Sequence, residues 1–78
     1  MTVEIITPEK SLFNGEAKLV QLPGIDGSFE IMNRHAPMIT TLSSGKIKVI
    51  ENNGNKLFFD ISGGLMEASD NKVSILAE

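Results

Sequence analysis

Apolar and polar residues alternate with a period of two along most of this chain, and turn residues break the pattern every few positions. That period places every second side chain on one face of an extended strand, and it does not fit the 3.6-residue repeat of a helix. Val3 and Ile5 share a face in Val3-Glu4-Ile5-Ile6-Thr7, and Pro8, which lacks an N–H, ends the ladder. A second run, Ala17-Lys18-Leu19-Val20-Gln21-Leu22, is expected to stop at Pro23-Gly24. Phe29 and Ile31, then Ile47 and Val49, then Leu57, Phe59 and Ile61, then Val73 and Ile75 continue the alternation in four further runs. Between them lie Asp26-Gly27, Ser44-Gly45, Asn53-Gly54 and Asp70-Asn71, residues that tolerate positive φ or bond their own backbone. Asn52-Asn53-Gly54-Asn55 is the strongest hairpin signal. No segment of ten or more residues reads as a helix, so the pattern predicts an all-β fold, a sandwich or a barrel.

Seventy-eight residues suffice for one small domain, here expected over residues 1–78, and are too few for two separate cores. Apolar residues make up 41% of the chain, so it can bury a core, but there is no cysteine to staple it. Extra stability must then come from tight packing or from a partner. Residues 1–8 reach an acid at Glu4 and a proline at Pro8, which does not fit a secretory leader. No apolar run approaches the roughly 20 residues of a membrane-spanning helix. The net charge of −3 and the four phenylalanines, with no other aromatic residue, argue against nucleic-acid binding, which wants a basic face beside stacking rings.

Catalytic and metal-binding patterns are missing. His35, the one histidine, has no nucleophile or second ligand marked out for it, so a structural or contact role is expected. Gly63-Gly64 lacks the further glycines and the following helix of a phosphate loop, and reads instead as a bend where the ribbon changes sheets. The ten acids are dispersed, and there is no calcium loop or nucleophile elbow. The expectation is a non-enzyme with no cofactor and no metal. More informative is an apolar surplus in and beside connections, at Ile25, Met32 and Met38, which points to a contact patch.

The block from Leu22-Pro23-Gly24-Ile25-Asp26-Gly27-Ser28-Phe29-Glu30-Ile31 to His35-Ala36-Pro37-Met38-Ile39-Thr40 resembles the epsilon subunit of bacterial F-type ATP synthases, called delta in mitochondria. Leu12-Phe13-Asn14-Gly15-Glu16-Ala17 is similar to that family's opening strand and Phe-x-Gly turn. Ser44-Gly45-Lys46-Ile47-Lys48-Val49 and Ile61-Ser62-Gly63-Gly64-Leu65-Met66-Glu67 are similar to its later segments, in the right order. One departure stands out: the family's Pro-Gly before His-Ala-Pro is Asn33-Arg34 here.

The resemblance implies a ten-stranded β-sandwich of two five-stranded sheets. No C-terminal helical hairpin is expected within a chain that ends at Glu78, so the inhibitory and ATP-sensing roles of those helices are not assigned to it. It further implies a central-stalk (rotor) subunit coupling the gamma subunit to the c-ring during proton-driven ATP synthesis. Such a subunit sits peripherally on the cytoplasmic face of the bacterial inner membrane, with no membrane insertion of its own. By position, Asp26, Gly27, Ser28 and Phe29 are expected at the c-ring, and His35, Met38 and Thr40 on the gamma side. Two readings compete. A biotinyl or lipoyl carrier shares the size and acidity but needs a lysine at a hairpin tip. A small sandwich hydrolase needs a nucleophile–base pair.

Overall fold

The computed structural model describes residues 1–78 and contains strands only: β1 (Thr2–Ile6), β2 (Ser11–Gly24), β3 (Gly27–Met32), β4 (Met38–Leu42), β5 (Gly45–Glu51), β6 (Lys56–Ile61), β7 (Gly64–Ser69) and β8 (Lys72–Ala77). They follow one hydrogen-bonded path, β1-β8-β7-β4-β2-β5-β6, with β3 on β2 and a further pairing of β1 with β2. All pairings are antiparallel except β1 with β8, whose parallel register sets Val3 against Val73 and Ile5 against Ile75.

The fourteen-residue β2 explains how one path makes two layers. Its first part pairs with β1, Phe13 opposite Ile5 and Gly15 opposite Val3. Its second part pairs with β5 and β3, Val20 opposite both Val49 and Ile31. Between the two parts Ala17 faces Glu51 and Leu19 faces Ile50, so Lys18 is an extra residue in the ladder. An extra residue bends a strand and increases its twist, and here it carries β2 from one layer into the other. Ten strands were expected and eight form, β2 passing unbroken through both layers and serving in each.

Alternation decides what lies between the layers. Val3, Ile5, Val20, Leu22, Ile47, Val49, Val73 and Ile75 are each at most 1% exposed, and no polar or charged residue is buried. A purely apolar interior avoids the cost of burying unpaired polar groups, which a domain this small is poorly placed to absorb.

Three sequence expectations change. Asn14-Gly15 makes no turn; it stays inside β2, and a side chain at Gly15 would begin 3.3 Å from the Phe13 ring. Pro23 does not end its strand: it pairs with Ser28, and its carbonyl accepts bonds from the Ser43 N–H at 2.7 Å and the Ser43 hydroxyl at 3.1 Å. Alternate N–H groups of a strand point away from a given partner, so a proline fits where no donor is needed. Third, residues 38–42 form a strand, β4, against β7, where only a connection was expected. By contrast, Ser62 and Gly63 do bridge the layers between β6 and β7, and the turn of Asp70 and Asn71 has both φ angles positive (53° and 59°), as a tight hairpin requires.

Candidate functional site

The β2–β3 hairpin carries four of the expected contact residues. Gly24 pairs with Gly27, leaving Ile25 and Asp26 as the tip. Ile25 is 60% exposed, and Asp26, Gly27 and Ser28 are exposed beside it. Phe29 behaves differently: its ring turns back over Gly24, where a side chain would begin 2.8 Å from the ring and 2.7 Å from the Gly27 carbonyl oxygen. The ring packs against the core and is half-buried, so Phe29 stiffens the hairpin more than it offers free surface. The tip is further tied down by the Ile25 N–H, which donates to the Thr41 carbonyl oxygen at 3.3 Å.

His35 lies at the other end of the sandwich. β3 runs from Gly27 to Met32, a span of roughly 20 Å at about 3.3 Å per residue, and His35 follows it in an exposed connection. Its Nδ1 is 2.7 Å from the Ala36 carbonyl oxygen. A carbonyl only accepts, so Nδ1 is the donor in this contact. Arg34 takes the left-handed conformation, with φ of 64°, at the position where the resembled pattern has glycine. Asn33 accepts a hydrogen bond from the Met1 α-amino group through Oδ1. The Arg34 N–H donates to Asn71 Oδ1 at 2.7 Å, which holds the connection to the β7–β8 turn.

Met38 and Thr40 occupy the inward parity of β4, half-buried, and Met38 packs on the core. Their outward neighbours are Ile39, 67% exposed, and Thr41. The structure therefore gathers Asp26, Gly27 and Ser28 at one tip and leaves His35 at the opposite end.

Sequence reasoning missed an outward apolar row that spans three strands. Across the outer face of the first layer, Ile6 is opposite Leu76, Leu76 opposite Leu65, and Leu65 opposite Thr41. Leu65 is 44% and Leu76 53% exposed, and a shallow groove bounded by Ile6, Pro8, Thr41, Leu65 and Leu76 runs along them. On the other layer Met32, Leu19 and Ile50 form a second row, of which only Met32 stands well exposed. A signal for the first row was present: Leu76 follows Ile75 directly, where alternation calls for a polar residue.

No group of three or more histidines or carboxylates comes together to hold a metal ion, and no helix is long and apolar enough to cross a membrane. The ion pair Lys46–Asp60, at 2.8 Å, is fully on the surface. The tips at Ile25-Asp26, residues 52–55 and Asp70-Asn71 hold no lysine. The β1–β2 hairpin does carry Lys10, but between Glu9 and Ser11 and not in the Met-Lys-Met or Asp-Lys-Ala setting of a carrier, so the carrier reading has no support.

Residues 1–78 match the family described as ATP synthase, Delta/Epsilon chain, beta-sandwich domain. An ATP synthase epsilon chain from Chlorobium limicola is 42% identical over 97% of this chain and 86% of its own length. Another epsilon chain, from Alkalilimnicola ehrlichii, is 40% identical, and there this chain spans 54% of the relative's length. Among solved structures, a chain of the Euglena gracilis mitochondrial ATP synthase assembly containing OSCP, F1 and the c-ring superposes with a TM-score of 0.90 at 19% identity. That superposition covers 96% of this chain and 48% of the other, and it is a likeness of fold.

Proposed function

We propose a function from one premise: this chain belongs to the ATP synthase delta/epsilon β-sandwich family. The chain is a central-stalk subunit that couples the gamma subunit to the c-ring during rotary, proton-driven ATP synthesis. It performs no chemistry itself. Its work is to transmit force between two partners, at the cytoplasmic face of the bacterial inner membrane and without inserting into it. Residues 1–78 act as one rigid domain, and the family's division into two five-stranded sheets is part of the same reading.

The observation that carries this is the outward apolar row Ile6–Leu76–Leu65, aligned strand to strand across a stiff sheet and joined on β4 by the exposed Ile39. A lone 78-residue chain gains nothing from keeping two leucines in water, whereas a stalk subunit gains a docking face. The gamma subunit covers the β4 side: His35, Met38 and Thr40 by position in the family, with Ile39, Thr41, Leu65 and Leu76 supplying exposed area. The hairpin of Asp26, Gly27, Ser28 and Phe29 reaches the c-ring loops. Apolar burial, at roughly 25 cal/mol per Å², outweighs ion pairing by Asp26, which adds about 0–1 kcal/mol when exposed.

Co-expression with a bacterial gamma subunit tests the reading, with gel filtration and native mass as the readout. A one-to-one complex is expected, and it is lost in the Leu65→Glu/Leu76→Glu double variant while the circular dichroism of the free chain stays unchanged. Failure of the unaltered chain to bind any gamma subunit would sink the function. Survival of the complex in the folded double variant would sink only the docking face.

A further inference from the structure

We propose that Asn53 is a site of spontaneous covalent modification, where the folded hairpin converts asparagine to aspartate or isoaspartate. The reaction needs three things: an exposed carboxamide, an unhindered amide nitrogen on the next residue, and a backbone that folds the one over the other. Residues 52–55 join β5 to β6 as an exposed connection, and Asn53 is followed by Gly54. No atom lies within 4 Å of where a side chain on Gly54 would begin, so no side chain crowds that residue and its nitrogen is restrained only by its bond to Glu51. Asn53 Oδ1 accepts a hydrogen bond from the Asn55 N–H at 2.9 Å. That two-residue bond draws the carboxamide back across the intervening Gly54 amide and polarises its carbonyl.

In the first step the Gly54 nitrogen loses its proton to solvent and attacks Cγ of Asn53. The N–Cγ bond forms, the Cγ–Nδ2 bond breaks, and ammonia leaves with a proton from water. Water then adds to one of the two imide carbonyls and that carbon's bond to the Gly54 nitrogen breaks, the nitrogen regaining a proton from water: attack at Cγ gives aspartate, attack at the backbone carbonyl carbon gives isoaspartate. The Gly54 N–H donates to the Glu51 carbonyl oxygen at 2.9 Å, so this surface bond opens before attack.

A built-in control exists in Asn14-Gly15, the other asparagine–glycine pair. It lies inside β2, with Asn14 opposite Glu4 and Gly15 opposite Val3, and the Phe13 ring covers Gly15. An extended ladder holds the side chain away from the following nitrogen, so Asn14 is spared although its sequence context is the same. The remaining asparagines precede Arg34, Asn53, Lys56 and Lys72, whose side chains crowd the attacking nitrogen. The product places a new carboxylate beside Glu51. In the isoaspartate form it also adds a backbone atom to the hairpin that sets the β5–β6 register.

The test is to hold the purified chain at neutral and at mildly alkaline pH, digest it, and map the mass gain of an NH2-to-OH exchange. Isoaspartyl methyltransferase labelling serves as a second readout. Label is expected on the peptide containing residue 53, faster at the higher pH, absent from the peptide containing Asn14, and abolished by Asn53→Gln. In urea-unfolded chain the two peptides should react alike. Equal labelling at 14 and 53 in the folded chain, or a residue 53 that reacts only after unfolding, overturns the proposal.

Discussion

At the end of the sandwich that carries Ile25 and Asp26, backbone groups in close contact do most of the holding, with Thr7 Oγ1 serving the β1–β2 turn; at the end that carries His35, asparagine side chains add to the backbone bonds that close the turns. In the first case Ser43 bonds Pro23, Ile25 bonds Thr41, and the Ser62 N–H donates to the Glu78 carbonyl oxygen while the Glu78 N–H donates to that of Gly63, closing the β6–β7 crossing. Gly24 and Gly64 are there because no Cβ fits. At the second end Asn71 holds Arg34, Asn33 holds the chain's amino group, and Asn53 and Asn55 hold their own hairpin. Backbone packing leaves no slack, so that end is rigid and intolerant of change. Side-chain hydrogen bonds contribute about 1 kcal/mol each and yield to substitution one at a time. Under the proposed function, in which the β2–β3 hairpin meets the c-ring, stiffness is needed at the first end.

The contrast can be broken most forcefully at Gly64. A side chain there would begin against the Leu76 carbonyl oxygen and 3.2 Å from Ala77 Cα, so β7 and β8 must separate. Gly64→Val is expected to cost about 3 kcal/mol or more. A chain of 78 residues holds only roughly 4–12 kcal/mol at about 0.05–0.15 per residue, so the urea midpoint should fall by roughly a quarter to three-quarters. A near-normal midpoint would mean the two strands can part cheaply.

Gly24→Ala comes next, at about 1–3 kcal/mol, because it drives into the Phe29 ring and the Gly27 carbonyl. Combining it with Phe29→Ala should cost less than the sum of the two single changes, since the ring that clashes is gone. Strict additivity would show that the ring does not lie over Gly24 in solution.

At the opposite end the effects shrink. Asn71→Ala removes the acceptor for the Arg34 N–H and places alanine at a φ of 59°, a change worth about 1–2 kcal/mol in thermal or urea unfolding. A loss as large as that of Gly64→Val would erase the difference between the ends.

The smallest effect has the opposite sign. Arg34 sits at a φ of 64° that glycine adopts freely, so Arg34→Gly should stabilise the chain by up to about 1 kcal/mol, read as a raised urea midpoint. Destabilisation instead would mean that the arginine side chain contributes more than its backbone strain costs.

Much of this was legible before any coordinates. Seven of the eight strands follow from local chemistry, six by their alternation and β7 as Leu65-Met66-Glu67-Ala68 between the bend at Gly63-Gly64 and the turn at Asp70-Asn71; so does the hairpin at Asn53-Gly54, and the motif order from Leu22 to Glu67 carries the family. β4 escaped because Met38-Ile39-Thr40-Thr41-Leu42 has no clean alternation, and its edge pairing with β7 is a long-range fact. The site was read less well. Phe29 and Met38 have the composition of contact residues, yet the core claims part of each, while Leu65 and Leu76 pass for ordinary strand residues until the sheet aligns them.

Period and turn chemistry act within a few residues, so the chain's own order of side chains determined the all-β class, the positions of most strands and the absence of a polar interior. Which face of each strand meets the other layer, how the bulge at Lys18 carries β2 across both, and which outward residues fall into one row depend on register between strands far apart in sequence. Register is chosen by the joint burial of all the strands at once. Only the folded whole could therefore place Ile6, Leu76 and Leu65 side by side and set His35 and Asp26 at opposite ends.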